Sequence, residues 1–138
     1  MTFNINITEA AKENDFFRKV VSTGPNAQVV LMSIPPGGEI GAEVHDNVDQ
    51  VLAFVAGEGV VILNGEESRV GPDHVVHVPA GMHHNVLNRG SFNLRLYTIY
   101  APPQHADGTV HRTKAEADAD EHDEFVAASK SEARTGAR

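Results

Sequence analysis

The stretch EVHDNVDQVLAFVAGEGVVILNG (43–65) sets two apolar runs, VLAFVA (51–56) and GVVILN (59–64), on either side of Gly57 and ends on Asn64-Gly65. Runs of this length, rich in valine and isoleucine and closed by glycine or Asn-Gly, are strands joined by tight turns. Ahead of the first strand stand four polar residues, Glu43, His45, Asp49 and Gln50.

Outward from there the same grammar repeats. Downstream lie VVHV (75–78), HHNVLN (83–88) and FNLRLYTIY (92–100), separated by Gly71-Pro72, Ala80-Gly81 and Arg89-Gly90. Upstream, FFRKVVST (16–23) and AQVVLMSI (27–34) flank Gly24-Pro25-Asn26 and read as a hairpin; Pro35 to Gly38 then breaks the chain. Residues 8–14, TEAAKEN, read as a short helical turn with Thr8 as its N-cap. No helix of ten or more residues falls between the strands, so the pattern predicts an all-β sandwich or barrel and not βαβ units. There is no internal repeat at a fixed period.

After Ala101-Pro102-Pro103 the composition shifts. Residues 113–138 are rich in Ala, Glu, Asp and Lys and are expected to form a polar helix or flexible tail outside the core. Residues 1–112 are expected to be one β-barrel domain with an N-terminal strand pair.

The chain of 138 residues is long enough to bury a core without staples. It has no cysteine, which excludes disulfides, thiolate metal sites and thiol nucleophiles. Eleven basic residues against 19 acidic leave a net charge of −8, which disfavours nucleic acid and anionic membranes as partners. No run approaches the length of a membrane-spanning helix, and the N-terminus lacks the basic and apolar blocks of a secretory signal. A cytoplasmic location is expected. There is no G-x-S-x-G, and the glycine pairs lack the following helix that a phosphate cradle needs.

Side chains alternate along a strand, so Glu43 and His45 share a face and can bind one ion. In HVPAGMHHN (77–85) a turn at Pro79-Ala80-Gly81 feeds His83 and His84 into the next strand on opposite faces. Only one of the two can join Glu43 and His45. Asp49 should face away from Gln50. His74 and His77 cannot chelate together and read as structural or exposed. His105 and His111 read as surface histidines, with a lid over the barrel mouth as the alternative. Met32, Phe54, Arg95 and Tyr97 are available to line the interior, and an inward Arg95 would favour an anionic substrate. The apolar residues on both faces of 92–100 leave the facing open.

The segment from Gly41 to Asn88 resembles the cupin superfamily of double-stranded β-helix (jelly-roll) barrels. Its second motif, G-x5-P-x-G-x2-H-x3-N, is matched by Pro79, Gly81, His84 and Asn88, with Asp73 at the leading glycine. Its first motif, G-x5-H-x-H-x3–4-E-x6-G, reads here as E-x-H…Q, closing on Gly57. The resemblance extends over most of residues 16–114. It implies metal ligands at Glu43, His45, Gln50 and His84, with His83 facing out. The carboxylate has moved from the glutamate position to the first histidine position, so the ligand set still carries one negative charge. Two histidines and a carboxylate resemble the donors of non-haem Fe(II) sites, while Mn, Ni and Zn also suit N and O ligands.

The expected function is therefore a metal-dependent enzyme that uses Lewis acid chemistry of isomerase or lyase type on a small oxygenated metabolite. The alternatives are a non-haem Fe(II) dioxygenase and a non-catalytic binding or sensing module. One divalent ion, a small-molecule ligand and a homodimer are expected; no catalytic residue is assigned.

Overall fold

A computed structural model describes residues 2–126 of the chain. Helix α1 (Ile7–Glu13) precedes strands β1 (Arg18–Thr23), β2 (Gln28–Ile34), β3 (Asp49–Ala56), β4 (Gly59–Leu63), β5 (Glu66–Val70), β6 (Val75–Val78), β7 (His84–Leu87), β8 (Leu94–Ala101) and β9 (Val110–His111), and helix α2 (Lys114–Ala119) follows. The strands form two antiparallel sheets. One has six strands in the order β6-β3-β8-β2-β1-β9 and the other three in the order β5-β4-β7. This is the all-β double-stranded β-helix expected from the sequence.

The pleat decides what goes inside. Along β8, Leu94, Leu96, Thr98 and Tyr100 are buried, while Arg95, Tyr97 and Ile99 alternate with them on the more exposed face. Leu96 lies between Met32 of β2 and Phe54 of β3 in register, and all three are buried. Val61, Val70 and Val86 of the smaller sheet close the same core from the other side. Met32 and Phe54 thus line the interior, and Arg95 and Tyr97 do not.

Local chemistry explains the turns. Asn64 and Gly65, both at positive φ (48° and 83°), make the two-residue β4–β5 hairpin loop that Asn-Gly favours. Gly57 has φ +84°, and a Cβ there would sit 2.5 Å from the Asn93 carbonyl oxygen, so both conformation and space require glycine. At the helix, the N-cap is Asn6, whose side chain accepts from Glu9 N–H, and not Thr8. Arg95 closes the far end of α1. It donates to the Lys12 and Asn14 carbonyls and pairs with Asp15 at 2.9 Å, which satisfies groups the helix leaves open.

Over residues 113–126 the expected polar segment forms the short helix α2, which has no buried residue, but it is not detached from the barrel. Ala117 packs on the core, and Asp120 and Asp123 reach His111 and His105. The rest of the expected tail, 127–138, lies outside the described residues.

Candidate metal centre

Residues 39–43 run beside β7, bridging Glu39 to Leu87 and Glu43 to His84. Glu43 and His84 exchange both backbone hydrogen bonds, each 2.9 Å, so their side chains leave the same face of the sheet. Two residues on, His45 returns to that face, and the intervening Val44 is exposed. The turn at Pro79–Met82 is held from below: Gly81 N–H donates to the His45 carbonyl at 2.8 Å, and Ala80 N–H donates to Asp49 Oδ1 at 2.8 Å. Asp49 faces away from the interior as expected, yet it anchors the turn that delivers His84.

One ligand atom from each of Glu43, His45 and His84 lies within 4.8 Å of the other two. Glu43 Oε1 is 3.4 Å from Nε2 of His45 and 3.4 Å from Nε2 of His84. These are contacts too long for strong, aligned hydrogen bonds, and both nitrogens are buried without a hydrogen-bond partner. His84 Nδ1–H donates to the Met82 carbonyl at 3.0 Å, which leaves Nε2 as the nitrogen turned toward Glu43. Burial pushes the Glu43 carboxyl up, but the two histidines outweigh it and hold the pKa at about 2. Burial pulls His84 down, and Glu43 with the Met82 carbonyl more than offsets it, so its pKa lies above the ordinary histidine value. An ionised carboxylate facing two buried, unpartnered nitrogens suits a divalent cation.

Gln50 is 1% exposed on β3, opposite Tyr100 in the β3–β8 register. Its Nε2–H donates to Thr98 Oγ1 at 3.1 Å, and its Oε1 is buried without a partner. His83 is kept outside, its backbone tied to the Asn64 side chain and its own side chain exposed. His74 and His77 are exposed, and His77 pairs with Asp49 at 3.8 Å. Asn88, the last position of the second motif, is a brace. It donates to the Ile34 and Phe92 carbonyls at 2.8 Å each and accepts from Gly90 N–H.

His105 and His111, expected at the surface, are buried at 7% and 4% exposure. The reason is the acidic segment after them. Nδ1–H of His105 donates to Asp123 Oδ2 at 2.6 Å, and His111 Nε2–H donates to Asp120 Oδ2 at 2.9 Å. Each imidazole is buried because a carboxylate comes to it. His105 also sets its ring edge-on to Tyr100 at 4.9 Å, and Tyr100 stands edge-on to His45 at 6.1 Å. The apolar residues on both faces of this strand left the facing of Tyr97 open; the inward phenol is Tyr100. Burial pushes its hydroxyl pKa far up, so it stays protonated, although Arg18 works against that shift.

A family model described as "Cupin domain" matches residues 30–100. The chain is 46% identical over 121 residues to the protein YrkC of Bacillus subtilis (strain 168), a match that covers 83% of this chain and 65% of YrkC. The chain therefore spans a little under two thirds of that relative. It is 32% identical over 110 residues to the protein L612 of Acanthamoeba polyphaga mimivirus, covering 77% of this chain and 69% of L612. The crystal structure of BH2720 from Bacillus halodurans superposes with a TM-score of 0.85 at 44% identity, covering 87% of this chain and 96% of that one.

Proposed function

The chain belongs to the cupin domain family, and from that premise we propose that it binds one divalent metal ion through Glu43, His45 and His84, with the Gln50 carbonyl oxygen as a fourth donor. In this reading it is an enzyme acting on a small oxygenated metabolite, by isomerase or lyase chemistry. The observation that carries the proposal is the triad itself: a carboxylate and two buried imidazole nitrogens that lack partners, with ligand atoms within 4.8 Å. A divalent ion bound there supplies Lewis acidity toward a carbonyl or enol oxygen; iron, manganese, nickel and zinc all suit the donors.

The residues of the chain do the rest. Met82 fixes the tautomer of His84, and Thr98 holds the Gln50 amide so that its oxygen is the free end. Glu43 stays ionised at any pH near neutrality, so it serves as a donor and not as a proton carrier. The test is titration of chelator-treated full-length protein with Zn²⁺, Ni²⁺ and Mn²⁺ in separate calorimetric runs. About one equivalent should bind, and Glu43→Ala should lose the heat of binding.

A second reading, the Fe(II) dioxygenase, is favoured by one specific feature, the two-histidine, one-carboxylate donor set. Oxygen uptake by the iron-loaded protein with small dicarbonyl compounds would select it; product formation without oxygen would select the Lewis acid reading. The homodimer and the cytoplasmic location belong to this proposal too, and light scattering and cell fractionation test them. No described helix is long and apolar enough to cross a membrane.

A further inference from the structure

Among the described residues, five buried side-chain atoms lack a hydrogen-bond partner: Arg18 Nε, His45 Nε2, Gln50 Oε1, His84 Nε2 and His105 Nε2. They gather around Tyr100. The rings of His45 and His105 stand edge-on to it, Gln50 opposes it across the β3–β8 ladder, and Arg18 lies close enough to counter the upward shift of its hydroxyl. His84 joins through His45, ring to ring at 5.5 Å. Buried polar atoms are nearly always partnered, so five in one place mark where a ligand or ordered water binds. A metal accounts for the two nitrogens of the triad and for the Gln50 oxygen. Arg18 and His105 are left over.

Arg18 is 8% exposed and carries a guanidinium cation into the interior. It lies over the Phe17 ring face, 5.2 Å from the guanidinium carbon to the centroid, and its Nη1 is 3.3 Å from His111 Nδ1. No carboxylate among the described residues pairs with it, since Asp120 and Asp123 end on His111 and His105. A buried cation with no counter-charge is costly, and an anion is what relieves it. His105 offers the complementary function. With Nδ1–H committed to Asp123, its Nε2 carries a lone pair and accepts a hydrogen bond.

We propose that Arg18 and His105 form a second recognition pole of this interior, which takes a small hydroxycarboxylate: its carboxylate pairs with the Arg18 guanidinium and its hydroxyl donates to His105 Nε2. The other end of the ligand faces Glu43, His45 and His84, and only that last clause rests on the metal-binding reading.

The test uses full-length protein, metal-loaded and metal-free, titrated by NMR with lactate, propionate and lactamide. Lactate should bind at least about tenfold tighter than propionate, which lacks the hydroxyl, and than lactamide, which lacks the charge. Arg18→Gln should erase the preference for lactate over lactamide, and His105→Phe the preference for lactate over propionate. If either variant fails to fold by circular dichroism, the wild-type Arg18 Nε–H resonance decides: lactate should shift it and lactamide should not. Equal binding of the three probes, or an unmoved Arg18 resonance, overturns the proposal. Metal content measured on the same samples separates the two readings. Discrimination among the probes without bound metal would keep this pole and reject the metal centre; bound metal without discrimination would do the reverse.

Discussion

Glu43 and His84, forty-one positions apart in the chain, face each other as a hydrogen-bonded pair, N–H to carbonyl in both directions at 2.9 Å, and their side chains meet at 3.4 Å. The backbone pairing is what makes the side-chain geometry reproducible. A donor set built on a strand ladder is set before any ion arrives, which is the preorganisation a metal site needs. His45 shares in it because its carbonyl holds Gly81 of the turn that precedes His84.

Replacing His84 by alanine should remove metal and leave the fold. The side chain offers one donor to the proposed ion and makes one bond to Met82, and the core cluster does not include it. Metal affinity should fall by more than the roughly 10–100-fold typical of losing an outer-shell partner, with the β-rich circular dichroism unchanged. Full metal occupancy in the variant would mean that another group holds the ion.

Asn88 should behave the other way. It occupies a motif position, but its three hydrogen bonds all go to backbone. Asn88→Ala leaves the Ile34 carbonyl short of a buried donor and should cost about 1–3 kcal/mol of stability, the range for one unsatisfied buried group. Metal stoichiometry in the folded fraction should stay as in the wild type, read by elemental analysis after chemical denaturation has given the stability.

The Asp123–His105 contact should show in the pH dependence of stability. Burial pushes Asp123 up, but His105, the Ala106 N–H and the Thr109 hydroxyl outweigh it and hold its pKa at about 2. Because the folded value is depressed below the ~3.9 of an unfolded aspartate, the contribution is complete above that value and is lost as pH falls through about 2. The stability difference between wild type and Asp123→Ala should therefore be about 1–3 kcal/mol at neutral pH and shrink between pH 4 and 2. A difference that is flat across that window would assign the effect to packing and not to charge.

Gly57→Ala should destabilise by at least about 1 kcal/mol, since it demands a positive φ of a residue with a Cβ and drives that carbon against Asn93. Thermal melting of the variant checks it; a melting temperature equal to the wild type would show that the Asn93 loop yields at no cost.

The turns and one face of the site could be read from the chain alone. Asn64-Gly65 allows little but a hairpin loop, and the alternation that puts Glu43 and His45 together survives although only Glu43 takes part in a bridge. His84 could be told from His83 because the pleat sends them apart. What stayed hidden depends on long-range contact. On β8, apolar residues lie on both faces, so no period says whether Tyr97 or Tyr100 points in. Residues 113–126 have the composition of a solvated tail, and nothing local reveals that two of their aspartates end on His105 and His111. Arg95 was the arginine that drew attention as an anion partner, yet it seals α1, and the buried guanidinium is Arg18.

The most direct measurement is elemental analysis of tag-free protein purified anaerobically without chelators, repeated after reconstitution with Fe²⁺, Mn²⁺, Ni²⁺ and Zn²⁺. The account predicts about one transition-metal ion per chain, lost in Glu43→Ala and His84→Ala. Protein that stays metal-free through every reconstitution would contradict it, and the triad of Glu43, His45 and His84 would then be a polar cluster and not a metal centre.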